Sequence, residues 1–474
     1  MNRKQTLSFF QIILPVLFLG VLIFYGMVIR PKFFGQPGFP LEIVFLLATV
    51  FAIGELMIIG FKWNDIQNAF IQKLARGFPA LLILFAIGII IGTWIISGTI
   101  PMLIYFGVQS INPTYIYVLA FLIPIIFSTL TGTSWGSIGT IGVVIIGIAS
   151  VIGANLGITA GAIVGGAFFG DKLSPLSDTT NIAAMATEVD LYDHIRSMMF
   201  TTLPSALIAL VIYFILGFTY PPTGSEIDPR QIEPTLIAVA SMFNFNGFLL
   251  IPPIIVLYGS IRKLAPLPTL LTSSLSAAGL ALIFQPYSMG DIMTALHTGF
   301  NVDMAYWVTG MPESIDTLFT RGGLYELIEA IIFTFMVFIF IGTIDLIDAM
   351  PTIVNRVFGE IKSKASIIIS SLFATAFTNG ITSNQSAASF IVGDAFVKRY
   401  DKAGISRKVL SRSIEDYGTM LESLVPWHAT VIFLTTTLGV SYGEYWYWQI
   451  LSLVNLIVAP TLAILGKGCF YEED

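Results

Sequence analysis

Runs of about 20 apolar residues, the length that crosses a bilayer as a helix, recur along this chain. At a few places they are interrupted by dense clusters of Gly, Pro, Ser, Thr and Asn. Unbroken runs lie at 7–29, 41–61, 78–97, 113–131, 198–218, 235–258, 265–285, 325–347 and 445–466. Interrupted apolar stretches lie at 99–110, 133–157, 158–185, 349–360, 366–397 and 408–441. Backbone that leaves the helix at membrane depth must be buried in protein or line a wet cavity, because lipid offers it no hydrogen bonds. The chain is therefore predicted to be an all-α integral membrane protein with broken helices and re-entrant hairpins, about 11–14 membrane segments in all.

Composition removes the soluble alternatives. Of 474 residues, 55% are hydrophobic and 11% charged, whereas soluble domains carry about 25% charged residues. A fold of this size could not cover itself in water with so few charges. The single cysteine, Cys469, excludes an internal disulfide and a thiolate metal cluster. No resident cofactor and no nucleic-acid partner are expected; the lipid bilayer is the obligate surrounding. The first apolar run is followed by no small-residue cleavage site and is read as a retained span. Residues 62–77 read as an interfacial helix, and 287–324 as a long polar-aromatic loop carrying Glu313, Asp316 and Arg321.

Basic residues set the orientation. Arg3 and Lys4, then Lys62, Lys73 and Arg76, then Arg262 and Lys263, and the cluster from Lys398 to Arg412 all fit one side. That side is the cytoplasm, with both termini there, in a multi-pass protein of the cell membrane.

The chain also matches itself at a spacing of 250 residues. Ile91-Gly92-Thr93 recurs as Ile341-Gly342-Thr343, Pro101 as Pro351, and Phe127-Ser128-Thr129 meets Phe377-Thr378-Asn379. A one-residue slip lays Thr133-Ser134 over Thr382-Ser383, and the unshifted spacing puts Asp178 opposite His428. Two repeats follow, 1–225 and 226–474, each holding scaffold and transport elements. The basic cluster at 398–412 corresponds to the uncharged segment 148–162, so the two repeats are expected to be inverted. Duplicated halves with matching polar interruptions point to a transporter whose site lies between them.

Three clusters carry the chemistry. Thr131-Gly-Thr-Ser-Trp-Gly-Ser137 offers hydroxyls and broken-helix carbonyls, the oxygen ligands a hard monovalent cation takes; Gly132 and Gly136 equally fit a small-residue packing face. Gly170-Asp171-Lys172-Leu-Ser174-Pro175-Leu-Ser177-Asp178-Thr179-Thr180-Asn181 places two carboxylates and an ammonium between apolar flanks. Intramembrane charges cost about 2.5 kcal/mol or more each and mark ion paths. Asp171 and Lys172 can pair at the interface, or Asp171 can serve the site. Asp178 has no basic residue within five positions and sits among Ser177, Thr179 and Asn181; such a carboxylate can hold a cation or a proton in one place. The second half supplies Asn379, Thr382, Ser383 and Asn384, then Glu422 and His428. Glu415 and Asp416 are expected to pair with Arg412. His428 is either a neutral hydrogen-bonded cavity residue or a proton carrier. Asp345 and Asp348 mark either a hairpin tip or a gate.

Thr131-Gly-Thr-Ser-Trp-Gly, the Gly170–Asn181 string and Glu415-Asp-Tyr-Gly-Thr419 together resemble the NhaC-type sodium/proton antiporter family, within an ion-transporter superfamily of inverted-repeat carriers. The resemblance covers nearly the whole chain. It implies paired hairpins, helices broken at the midplane, and a transport domain moving against a scaffold homodimer. The family also holds carriers of organic substrates, a malate/lactate exchanger and amino-acid carriers among them. This sequence departs from it at Asn384-Gln385-Ser386, where relatives often place an acidic residue before Gln, and at Pro426-Trp427-His428, where they often show Pro-Trp-Asn.

The expected function is secondary antiport of Na+ for H+ by alternating access, with Asp178, Thr133, Ser134 and Asn181 as the Na+ ligands. The alternative is a Na+- or H+-coupled carrier or exchanger of a small carboxylate or amino acid, held by Ser383, Asn384, Ser386 and His428. An enzyme is not expected: no second aspartate completes an intramembrane protease dyad, and no serine–histidine or metal-ligand set is present.

Overall fold

Long apolar runs leave the backbone no partner but itself, so the chain forms helices almost throughout. The computed structural model describes residues 7–222, 233–358 and 363–471. Arg3, Lys4, the proposed boundary at 225/226 and the end of the stretch 349–360 lie outside them. Among the described residues there is no strand, only isolated bridges such as Phe300 to Arg321.

The helices, numbered along the chain, are α1 Phe9–Phe34, α2 Leu41–Ile59, α3 Trp63–Ile96, α4 Thr99–Ser110, α5 Ile116–Thr131, α6 Ser134–Val151, α7 Leu156–Leu173, α8 Asp178–Ala186, α9 Leu191–Thr219, α10 Glu233–Met242, α11 Gly247–Ile261 and α12 Pro266–Phe284. After a loop with two short helices come α13 Ile328–Asp345, α14 Ala349–Val357, α15 Lys364–Thr382, α16 Gln385–Lys402, α17 Arg407–Tyr417, α18 Thr419–Glu422, α19 Ala429–Leu438, α20 Tyr442–Trp448 and α21 Ile450–Leu465. Among the described residues, ten helices are long and apolar enough to cross a membrane, and up to twelve spans result if each bent pair counts as one. The protein is an all-α, multi-pass membrane protein.

Several boundaries differ from the sequence reading for physical reasons. Residues 62–77 are not a separate interfacial helix; they are the first turns of the 34-residue α3, which continues through Pro79. At 1.5 Å per residue α3 is about 50 Å long, more than the roughly 30 Å of hydrocarbon, so its basic start projects beyond the apolar layer. The run 235–258 is two helices bent by 96°: the first ends at Met242, and after a short non-helical stretch Asn246 caps the second, accepting from the Phe248 N–H. The stretch 133–157 contains a nearly continuous helix, Ser134–Val151, with one π turn at Ile138–Gly142.

Small residues set the closest crossing in the first half. A Cβ on Gly166 would lie 2.1 Å from the Phe121 carbonyl oxygen, and one on Gly170 2.6 Å from that of Ile125. α5 and α7 therefore touch backbone to backbone, and Ser128 Oγ donates across the contact to the Ala167 carbonyl at 2.6 Å. The small-residue crossing of two helices lies here, while Gly132 packs against the Leu176 backbone between α7 and α8, and Gly136 against Thr133.

The order of elements in the first half returns in the second. The hairpin α3–α4 turns on Gly98 at φ +85°, and α13–α14 turns on Asp348 at φ +49°. Asp345, beside that turn, pairs with Lys73 of α3 at 2.7 Å, so both aspartates belong to the hairpin tip.

Candidate ion-binding site

The polar clusters are the places where helices break, and each break has a local cause. α5 ends at Gly132, φ +68°, whose N–H bonds the Ser128 carbonyl at 2.7 Å; Thr133 then caps α6 by accepting from the Gly136 N–H. α15 ends at Ser383, φ +44°, whose N–H bonds the Asn379 carbonyl at 2.7 Å; Asn384 caps α16 by accepting from the Ala387 N–H. Ser177 caps α8, accepting from the Thr180 N–H, and His428 caps α19, accepting at Nδ1 from the Thr430 N–H at 3.1 Å.

These caps correct the register. The structural partner of Thr133 is Asn384 and that of His428 is Ser177, a spacing of 251. Thr133-Ser134 does not correspond to Thr382-Ser383, nor Asp178 to His428. Matching identities in Ser/Thr-rich text cannot locate the left-handed residue that ends a helix, whereas the cap geometry does.

All four breaks meet around one cavity of about 210 Å³. α5–α6 contributes Thr133 and Ser134, and α7–α8 contributes Asp171, Asp178 and Thr179. α15–α16 contributes Ser383, Asn384, Gln385 and Ser386, and the α17–α19 region Thr419, Glu422, His428 and Thr430. A wider vestibule of about 530 Å³ shares Thr133 and Asp178 with this cavity. It runs past Asn181 and Thr269 to Lys263 in the α11–α12 turn.

Of the expected Na+ ligands, Asp178, Thr133 and Asn181 line the vestibule together, while Ser134 faces inward to Asp171. Asp178 is exposed to these spaces and bonded only by its neighbour's N–H, Thr179, at 2.9 Å. Asn181 donates to the Pro175 and Ser177 carbonyls at 3.0 and 2.6 Å, which leaves its oxygen for the vestibule. The Thr133 carbonyl is already taken by the Ser137 hydroxyl at 2.6 Å, so Thr133 offers its hydroxyl rather than its backbone.

The deeper wall is acidic. Asp171 is 4% exposed and accepts from the Ser134 N–H at 3.1 Å. It does not pair with Lys172. That ammonium turns away to Asp416, which also accepts from Thr201 at 2.9 Å and Asn455 at 3.1 Å. Arg412 comes within 3.9 Å of Asp416 but not of Glu415, so only half of the expected pairing forms. Glu415 instead accepts from the Thr419 hydroxyl at 2.6 Å. Glu422 accepts from Asn379 at 3.4 Å and Thr430 at 3.0 Å. Asn379 receives His428 Nε2 at 3.3 Å. With Nδ1 accepting and Nε2 facing an amide oxygen, the ring makes the bonds of its neutral Nε2–H tautomer. Asn379, Thr382 and Ser177 support this wall without lining the cavity. Among the described residues, Asp171, Asp178, Glu415 and Glu422 have no cationic partner.

This arrangement, rich in side-chain oxygens and with carboxylates that lack ion-pair partners among the described residues, suits a hard cation or protons. The model of the Na+/H+ antiporter family matches residues 166–467, which hold the α7–α8 break and the whole second-half wall. The chain belongs to this family. An uncharacterized Na(+)/H(+) antiporter of Haemophilus influenzae is 38% identical over 90% of the chain and 91% of its own length. The Na(+)/H(+) antiporter NhaC of Alkalihalophilus pseudofirmus is 31% identical over 100% and 99%. A malate-2H(+)/Na(+)-lactate antiporter of Bacillus subtilis is 29% identical over 92% and 91%. The protein is thus an antiporter, a transporter rather than an enzyme.

Gln385, Thr334, Thr419 and Thr430 of the antiporter cavity, and Glu415 behind Thr419, escaped the sequence reading as ion contacts, and Ser386 was expected only as an organic-substrate contact. Two of them had a signal. Gln385 stands 251 residues after Ser134, and Glu415 one helical turn before Thr419.

Proposed function

We propose that the protein exchanges Na+ for H+ across the cell membrane, with Asp178 as the group for which the two compete. The observation that carries this reading is the position of that carboxylate: on the wall shared by vestibule and cavity, without a cation, beside the Thr133 hydroxyl and the Asn181 oxygen. A carboxylate so placed is neutralised by one Na+ or one proton, and a single site that takes either ion but not both couples their movements. The vestibule opens toward Lys263, on the side where Lys73 and Arg76 also lie by charge placement, so this conformation faces the cytoplasm. The carrier is read as a homodimer with both termini on that side.

A second reading, exchange of a small carboxylate or amino acid, has two supports. One is the relative named for malate and lactate. The other is the Lys263 ammonium and the volume of the vestibule, about 530 Å³, which lies in the range of small-molecule pockets. The smaller cavity, at about 210 Å³, favours the ion. Proteoliposomes loaded with a pH dye decide between them. Proton flux driven by Na+ alone supports Na+/H+ exchange; flux that begins only when a carboxylate or amino acid is added overturns it in favour of the second reading.

A further inference from the structure

Four buried oxygens at the inner end of the cavity have nothing to bond. Asp171 Oδ1, Ser383 Oγ, Gln385 Oε1 and Glu415 Oε1 are each without a hydrogen-bond partner among the described residues. Asp171, Ser383 and Gln385 line the cavity and are 4%, 9% and 5% exposed. Glu415 is fully buried and reaches the cavity wall through Thr419, which donates to its other oxygen. A buried polar atom left unpaired costs folding free energy, so a cluster of them calls for an occupant.

Local bonds fix the orientation of the Gln385 oxygen. Gln385 donates through Nε2 to the Ile414 carbonyl at 3.1 Å, which fixes Oε1 as the free end of the amide. A Cβ on Gly418 would lie 2.0 Å from that Oε1, so the amide oxygen rests on the turn that begins at Glu415. Asp171 and Glu415 interact electrostatically, and Glu422 with both. The charged groups around them are two cations, Lys172 and Arg412, and five carboxylates, Asp171, Asp178, Glu415, Asp416 and Glu422. Both cations contact Asp416 and Lys172 also attracts Glu415, but with five carboxylates to two cations negative charge remains on the cavity side.

We infer that Asp171, Ser383, Gln385 and Glu415 form a second, deeper site for a monovalent hard cation, separate from the Asp178 vestibule site. Two carboxylates, one amide oxygen and one hydroxyl are oxygen ligands throughout, the donor set for Na+ or Li+ rather than a thiolate- or imidazole-seeking metal. The ligands come from α7 of the first half and from α16 and α17 of the second, so occupancy would tie the halves together at the point where the breaks meet. This inference rests on the reading that the chain carries Na+, and adds a second ion to it.

The test is the number of 22Na+ ions bound at saturation per full-length chain, purified in lipid nanodiscs at alkaline pH, with cold Li+ as competitor. Wild type is expected to bind two. Glu415→Gln, which keeps an acceptor for Thr419, and Gln385→Met should each bind one, as should Asp178→Asn; the Asp178→Asn, Gln385→Met double variant should bind none. Ser383→Ala, the smallest change, should weaken the apparent affinity of one of the two ions at least fivefold and serves if the carboxylate variant does not fold. One ion in wild type, unchanged in Glu415→Gln and Gln385→Met and lost in Asp178→Asn, would overturn the deep site and leave Na+/H+ exchange standing. One ion lost in Glu415→Gln but kept in Asp178→Asn would support the deep site and remove Asp178 as a ligand. No saturable 22Na+ binding would overturn both.

Discussion

Asp178 and His428 share a cavity wall but are built for different tasks. Among the described residues Asp178 has no ion pair and only a hydrogen bond from the adjacent Thr179 N–H, so Asp178→Asn changes charge while disturbing little packing. Na+-dependent proton exchange should fall at least tenfold, about 1.4 kcal/mol in the barrier, with the thermal midpoint almost unmoved, since substitutions away from buried networks stay within about 0.5 kcal/mol. Exchange above half the wild-type rate would make Asp178 a structural residue. His428 is committed: it caps α19 through Nδ1 and reaches Asn379 through Nε2. A proton added at Nδ1 would cost the cap, so a proton-carrying role finds no support in these bonds. Asn is a good helix cap, and His428→Asn should leave the shape of the rate–pH profile between about pH 5.5 and 9 unchanged. His428→Leu loses the cap, worth about 1 kcal/mol, and should lower the midpoint and the rate together. A profile displaced toward acid in His428→Asn would return the proton to this ring. The sequence singled out both residues by type and neighbourhood; it could not show which bonds each had made, because Asn379 lies 49 residues from His428.

Helix breaks were the most legible elements, and their partnerships the least. The clusters at Thr131–Ser137, Gly170–Asn181, Thr378–Ser386 and Glu415–Thr430 each hold a break, because those residue types cap and terminate helices by short-range chemistry, whereas 99–110 and 272–279 run on as helix. The clean runs were less reliable: 235–258 hides a 96° bend at Asn246. Cross-chain charge pairing was beyond reach, since Lys172 finds Asp416, 244 residues away, instead of adjacent Asp171. That pair joins α7 to α17, with α9 and α21 adding Thr201 and Asn455. Removing one member strands the other charge in a fully buried site, a loss of about 3–5 kcal/mol, whereas replacing both by apolar groups is often neutral. Lys172→Met and Asp416→Leu should therefore each lower detergent-solubilised yield and thermal midpoint sharply. The double variant should regain most of that loss. Equal damage in all three would mean that Thr201 and Asn455, not the ion pair, hold the junction.

For the whole molecule, the duplicated order of hairpins and breaks brings the first-half and second-half clusters to one cavity, which is what a site between repeats requires. The 250-residue match led to the expectation of two repeats, but it did not show that the helix breaks are spaced by 251, nor which side of the membrane each half faces. The inversion rests on charge alone: the segment around Lys402 is basic and its counterpart around Asn155 is uncharged, and basic loops stay in the cytoplasm. Both residues are exposed, at the end of α16 and the start of α7, so each can carry a reporter. Cys469 is fully buried, and replacing it with Ser or Ala gives a background without other thiols. Single cysteines at Asn155 and Lys402, treated in right-side-out and inverted vesicles with a membrane-impermeant maleimide, should react from opposite faces, Lys402→Cys from the cytoplasm and Asn155→Cys from outside. Asn155 caps α7 through its side chain, so Asn155→Cys should cost about 1 kcal/mol without changing the topology. Labelling of both from the cytoplasm would make the repeats parallel, and the cavity between them would then need a route of access other than rocking of inverted halves.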